Sequence, residues 1–129
     1  MEKHIVPRVK DDDEAIDNLK SCSFNEIKEQ VPQLLEWLQD GNWPVSAPIF
    51  NYLLPHVNDI EDEILKIFRT DDGVWKYWVL GLISHFPGKI SDRILQEVKR
   101  IAEHPMRDEI IDEVQQEAID VLQDLELKR

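Results

Sequence analysis

The segment Asp71-Asp72-Gly73-Val74-Trp75-Lys76-Tyr77-Trp78 gathers the residue types in this chain best suited to recognition or chemistry. Two adjacent carboxylates have the chemistry of general acids, general bases or cation ligands. Lys76 and Tyr77 are able to hold or orient a ligand, and Trp75, Tyr77 and Trp78 crowd three aromatic rings into four residues. Tyr77, Gly81 and His85 then recur at i, i+4 and i+8, so one face of a helix would carry an aromatic ring, a gap and an imidazole. That face reads equally as the lining of a groove or as ordinary surface on which Gly81 permits close helix packing. Tyr77, Lys76, Asp71, Asp72 and His85 are therefore the candidate binding residues.

The same residues argue against an enzyme. Asp71 and Asp72 have no histidine or third acid close in sequence, and their position before an apolar run is that of helix N-cap residues. His4, His56, His85 and His104 fall in four different segments, with no His-x-x-x-His or His-Glu-x-x-His spacing to hold zinc. Cys22 is the only cysteine, so the chain forms no internal disulfide and no cysteine-based metal knot, in keeping with a reducing compartment. Neither a glycine-rich phosphate loop nor a Gly-x-Ser-x-Gly elbow is present. The expectation is a non-enzymatic protein with no cofactor and no metal.

The elements that position these residues are helical. With 4 glycines in 129 residues and no sustained apolar/polar alternation, strands find little support. Residues 1–10 read as a loose N-terminal arm and 11–129 as one domain. Ala15, Ile16 and Leu19 face inward on a first helix, and Pro32 opens a helix bearing Leu34, Leu35, Trp37 and Leu38. Trp37 and Trp43 flank a tight turn and are placed to pack as a corner. Asn58, with Glu61 three residues on, has the spacing of a capping box before Ile60, Ile64, Ile67 and Phe68. Trp75, Trp78, Val79, Leu82, Ile83 and Phe86 mark the inward stripe of the next helix, leaving Lys76 and Tyr77 off it. Ser91 caps a helix ended by His104-Pro105, and a final helix carries Ile110, Ile111, Val114, Ala118, Val121, Leu122 and Leu125. Asp40-Gly41-Asn42-Trp43 recurs as Asp72-Gly73-Val74-Trp75, an offset of about 32 residues, in the range of helix-pair repeats. The expected fold is all-α: a right-handed stack of helical hairpins of HEAT or armadillo type, with seven or eight short helices.

Charge narrows the partners. Formal net charge is −12; residues 1–64 carry 5 basic and 14 acidic side chains, residues 65–129 carry 10 and 13. Such a surface repels phosphate backbones and anionic lipid heads, so neither nucleic acid nor membrane is an expected partner, and a basic protein is. Lys99-Arg100 and Arg107 are too few for a nucleic-acid footprint. The N-terminus has no signal-peptide core and no run approaches a membrane span, so a cytoplasmic location is the expectation.

From Leu34 to Leu122 the chain resembles a family of short, mostly bacterial proteins of unknown function with a HEAT-like helical fold. The resemblance rests on Pro32-Gln33-Leu34-Leu35-Glu36-Trp37-Leu38-Gln39-Asp40, Asn42-Trp43-Pro44-Val45 and Asp72-Gly73-Val74-Trp75-Lys76-Tyr77-Trp78. Leu95-x-x-x-Lys99-Arg100-Ile101-Ala102-Glu103-His104-Pro105 and the final acidic helix extend it. It implies the helical stack and carries over no catalytic residue. The expected function is an acidic protein-binding module, with a cytoplasmic inhibitor of immunity type as one concrete form. The alternative is a small-ligand-binding protein or small enzyme with a pocket near Tyr77 and His85. The sequence leaves the oligomeric state open.

Overall fold

The computed structural model describes residues 4–127, which are helical with no strand among them. Residues 1–3 of the expected arm and 128–129 of the expected domain lie outside this range. No helix in it is long and apolar enough to cross a membrane. The chain divides after Leu53 into two compact units.

The first unit contains α1 (Asp13–Lys20), α2 (Phe24–Ile27), α3 (Val31–Glu36) and α4 (Ser46–Leu53). Asp12 caps α1, its carboxylate accepting from the Arg8 and Ala15 amides at 3.0 and 3.2 Å and lying 2.7 Å from His4 Nε2. Asn18 Nδ2 donates to His4 O at 2.8 Å and Ile5 is 1% exposed, so residues 4–8 are pinned against α1. Ala15, Ile16 and Leu19 are buried as their spacing predicts. Pro32 sits in the first turn of α3. Beyond α3, Trp37 and Trp43 meet edge to face with centroids 5.3 Å apart, the corner expected from their flanking of Gly41. Buried Ser46 Oγ lies 2.5 Å from Trp37 O and 2.8 Å from Asp40 O, tying α4 to that corner.

The Asp12 contacts give a measurable pH signature. The Arg8 amide above all, then the His4 ring and the Ala15 amide, hold the Asp12 carboxyl down to about 2 from an ordinary 3.8. A carboxyl lowered by folding stabilises the native state above its ordinary value, and that contribution is lost as pH falls through the lowered one. Asp12→Asn should therefore melt below wild type at neutral pH, and the two melting curves should converge between pH 3.8 and about 2. A gap that persists at the acid end would assign the effect to something other than the ionised carboxylate.

The second unit begins with a 3-10 segment, Leu54–Ile60, followed by α5 (Glu61–Phe68), α6 (Gly73–His85), α7 (Asp92–Glu103), α8 (Arg107–Ile111) and α9 (Val114–Leu127). Ile64, Ile67 and Phe68 are buried on α5, and Ile94, Val98 and Ile101 on α7. Helix α9 packs on both α6 and α7, its Val114, Ala118 and Val121 completing the core. Ser91 Oγ accepts from the Ile94 amide at 3.3 Å, the expected cap. Asn58 departs from its expected role. It does not cap α5; its side chain donates to Lys89 O at 2.8 Å and accepts from Ser91 N at 2.9 Å, fixing the loop before α7.

A regular spacing runs through the polar links of this unit. Asn58 to Ser91, Glu61 to Ser91, Asp62 to Arg93, Phe68 to Arg100 and Lys76 to Glu109 all join residues 30 to 33 positions apart. These links tie the 3-10 segment and α5 to the start and middle of α7, and α6 to α8.

Candidate functional site

Helix α6 is apolar on nearly every side, and hydrophobic spacing alone does not set its rotation. Its buried residues are Gly73, Lys76, Val79, Leu80, Leu82 and Ile83. The expected stripe is met in part: Val79, Leu82 and Ile83 are fully buried, but Trp75, Trp78 and Phe86 are only half-buried, and Lys76, which the spacing leaves off the stripe, is 0% exposed. Lys76 goes inside because carboxylates meet it there. Its Nζ donates to Glu109 Oε2 at 2.9 Å and lies 2.7 Å from Asp108 Oδ2, a charge contact at an angle that makes no hydrogen bond. Met106 Sδ is 3.7 Å from the same nitrogen.

Glu109, also 0% exposed, is the centre of a larger network. Arg100 grips it through both guanidinium ends, at 2.6 and 2.8 Å, the bidentate geometry that arginine favours. Arg100 in turn holds Glu97 at 3.0 Å and Phe68 O at 3.3 Å. The Met106 amide donates to Glu109 Oε1 at 2.7 Å. Burial pushes the Glu109 carboxyl up, but Arg100, the Met106 amide and Lys76 together outweigh it, and the group stays below the usual carboxylate range. The hydrogen bonds that Arg100 donates to Glu109 raise the Arg100 guanidinium above its already high value. Three helices, α6, α7 and α8, are thereby clamped at one buried carboxylate.

The clamp inverts the polarity of α8. Glu109 is the only buried residue of this helix, while Ile110 and Ile111 are 58% and 65% exposed. The sequence places these two isoleucines on the inner face of one continuous final helix. That helix is in fact broken: Glu113 takes a left-handed φ of 62° between α8 and α9. Ion pairing fixes the rotation of α8 through Glu109, and its isoleucines turn outward as a consequence. Of the large apolar side chains exposed among the described residues, Val74, Tyr77, Met106, Ile110 and Ile111 all belong to α6 or to α8 and its N-cap, and only Val9 lies elsewhere.

The candidate binding residues separate along α6. Asp72 Oδ1 accepts from the Trp75 amide at 3.1 Å, so Asp72 is the expected N-cap, and Asp71 beside it is exposed. A Cβ at Gly73 would lie 2.6 Å from Asp108 O and 2.4 Å from Asp112 Oδ2, which shows how tightly the start of α6 abuts α8. Tyr77 is 37% exposed and meets Trp78 edge to face at 5.8 Å. His85 is exposed, with Nδ1 2.9 Å from Gly81 O. It lies two turns beyond Tyr77, about 12 Å along the axis, and about 20 Å beyond Asp72. The aspartates and Tyr77 therefore share the α8 end of the helix, whereas His85 belongs to the other end. Beyond it lies a cavity of about 480 Å³ lined by Phe86, Pro87, Lys89, Ile90, Leu95 and Leu125 among others; neither Tyr77 nor His85 lines it. Sequence reasoning missed Glu109, Arg100, Met106 and the outward isoleucines. The one available signal was Glu109 three residues after Met106, at capping-box distance behind His104-Pro105.

A family model described as a domain of unknown function (DUF5071) matches residues 5–122, and the chain belongs to that family. No curated protein matches it.

Proposed function

We propose that this DUF5071 chain is a non-enzymatic protein-binding module whose contact surface is the exposed apolar face of α8 with the adjoining start of α6. The observation that carries the reading is the inverted polarity of α8. A helix that buries its carboxylate and turns two isoleucines to water forgoes apolar burial and takes on a desolvated charge, and both are unfavourable in an isolated protein. Contiguous exposed apolar side chains with a polar surround are the mark of interaction sites. The links spaced by 30 to 33 residues in the second unit support a HEAT-like stack of helical hairpins, a fold that presents such surfaces along its length. A cytoplasmic inhibitor with a basic target is the concrete form best matched to a net charge of −12.

The test compares two baits in native lysate, wild type and Ile110→Asp/Ile111→Asp. Both isoleucines are largely exposed, so the variant should keep its helical spectrum and melt close to wild type, as surface changes do. A protein held by wild type and lost from the variant supports the reading. Capture that the variant leaves intact removes α8 from the contact surface.

A further inference from the structure

We infer that the occupant of the α8 face is a basic amphipathic protein segment, with apolar side chains that seat on Ile110, Ile111 and Tyr77 and flanking Lys or Arg that meet Asp71, Asp112 and Glu113. The inference rests on the protein-binding reading above and adds the chemistry of the partner. Two kinds of group coincide here. The apolar anchors come from α8 and from Val74 and Tyr77 of α6. The acids come from both helices and are brought together at Gly73, where an added Cβ would meet Asp112, while Asp71 and Asp72 immediately precede it. Asp71 and Glu113 are exposed and Asp112 and Asp72 half-buried, and the exposed bases nearest to them in the chain are Arg69 and Arg107. Met106, 40% exposed at the N-cap of α8, adds an unbranched side chain that adapts to varied apolar partners.

Charge decides between occupants. A second copy would set these acids against their own equivalents, and like-charge juxtaposition across an interface is costly. A nucleic acid or an anionic bilayer meets the same repulsion. A basic segment gains attraction during approach and apolar burial on docking. The surface is also held ready: Lys76, Arg100 and Glu109 fix the rotation of α8 before any partner arrives, so little ordering is left to binding.

Two labelled synthetic peptides test this. Both are amphipathic helices with leucine on one face and alanine elsewhere, one flanked by lysines and the other by glutamates. Fluorescence anisotropy with the full chain should show the lysine peptide binding at least about tenfold tighter than the glutamate peptide. That binding should weaken as salt rises and disappear in Ile110→Asp/Ile111→Asp, with Ile110→Ala/Ile111→Ala as a second variant should the first lose its helical spectrum. Equal binding of the two peptides, no binding of either, or binding that both isoleucine variants retain would overturn the inference. Dimerisation by sedimentation that the isoleucine variants abolish would assign the face to a second copy and overturn it too. The two levels of argument fail separately. A lysate protein captured through α8 that lacks a basic segment keeps the module and removes only the proposed partner class.

Discussion

Lys76→Met should lower the free energy of unfolding by about 3–5 kcal/mol, the range for removing one partner of a buried ion pair. Methionine nearly matches the lysine side chain in length and fills its volume next to Met106, so the loss reports charge and not a cavity. What remains is Glu109 shared with Arg100, and beside it the Asp108 carboxylate, whose buried Oδ2 has only the Lys76 ammonium at 2.7 Å. Adding Asp108→Asn to Lys76→Met should then recover about 1 kcal/mol or more, because the stranded charge is gone and contacting residues couple by that order. The pH dependence has a definite sign. Folding lowers Glu109 below the usual carboxylate range, so the clamp contributes fully above the ordinary glutamate value and is lost as pH falls through the lowered one. The gap between wild type and Lys76→Met, measured by denaturant unfolding, should be widest near neutrality and narrow below about pH 4. A neutral-pH loss under about 1 kcal/mol, the value of a solvent-exposed pair, would mean that water reaches Lys76 and that α8 is not clamped.

This clamp marks the limit of what the sequence makes legible. Local signals read well. Asp72 and Ser91 cap helices where their spacing places them, Pro32 opens α3, and the Trp37–Trp43 corner follows from a glycine turn between two rings. Each of these depends on residues within a few positions of one another. The rotation of α6 depends on residues more than 30 positions away. Its sequence is apolar on nearly all sides, so hydrophobic periodicity sets the angle only loosely, and a stripe drawn through Trp75, Trp78 and Phe86 leaves buried Lys76 off it. Only the arrival of Asp108 and Glu109 makes a buried ammonium tolerable. The error then propagates. With Glu109 committed to Lys76 and Arg100, Ile110 and Ile111 have to face outward, and the chain breaks at Glu113 with no glycine or proline to announce it. Tyr77, Asp71 and Asp72 were legible as surface groups, but their apolar neighbours on α8 were not. The candidate surface is therefore half visible in the sequence, in the half that lies on α6.

Gly73→Ala should destabilise the protein by about 1–3 kcal/mol, the usual cost of overpacking, although helix propensity predicts the opposite sign. Gly73 opens α6, and an alanine there would ordinarily favour the helix by about 0.5–1 kcal/mol. The added methyl has no room. It would lie 2.4 Å from Asp112 Oδ2, 2.6 Å from Asp108 O and 2.8 Å from Asp112 Cβ. The carboxylate tip can swing aside, but the Asp108 carbonyl belongs to the backbone of α8, and moving it shifts Glu109, which is held from three sides at 2.6 to 2.9 Å. The strain is relieved only by displacing α8 from α6, so the substitution acts on the ionic clamp through the backbone and leaves every charged group in the sequence intact. Thermal unfolding of Gly73→Ala beside Lys76→Met and the double variant separates the two routes. Losses well short of additive are expected, since both changes free the same short helix. A Gly73→Ala protein as stable as wild type, or more so, would show that α8 has slack against α6, and the rigid presentation of Ile110 and Ile111 would lose its structural basis.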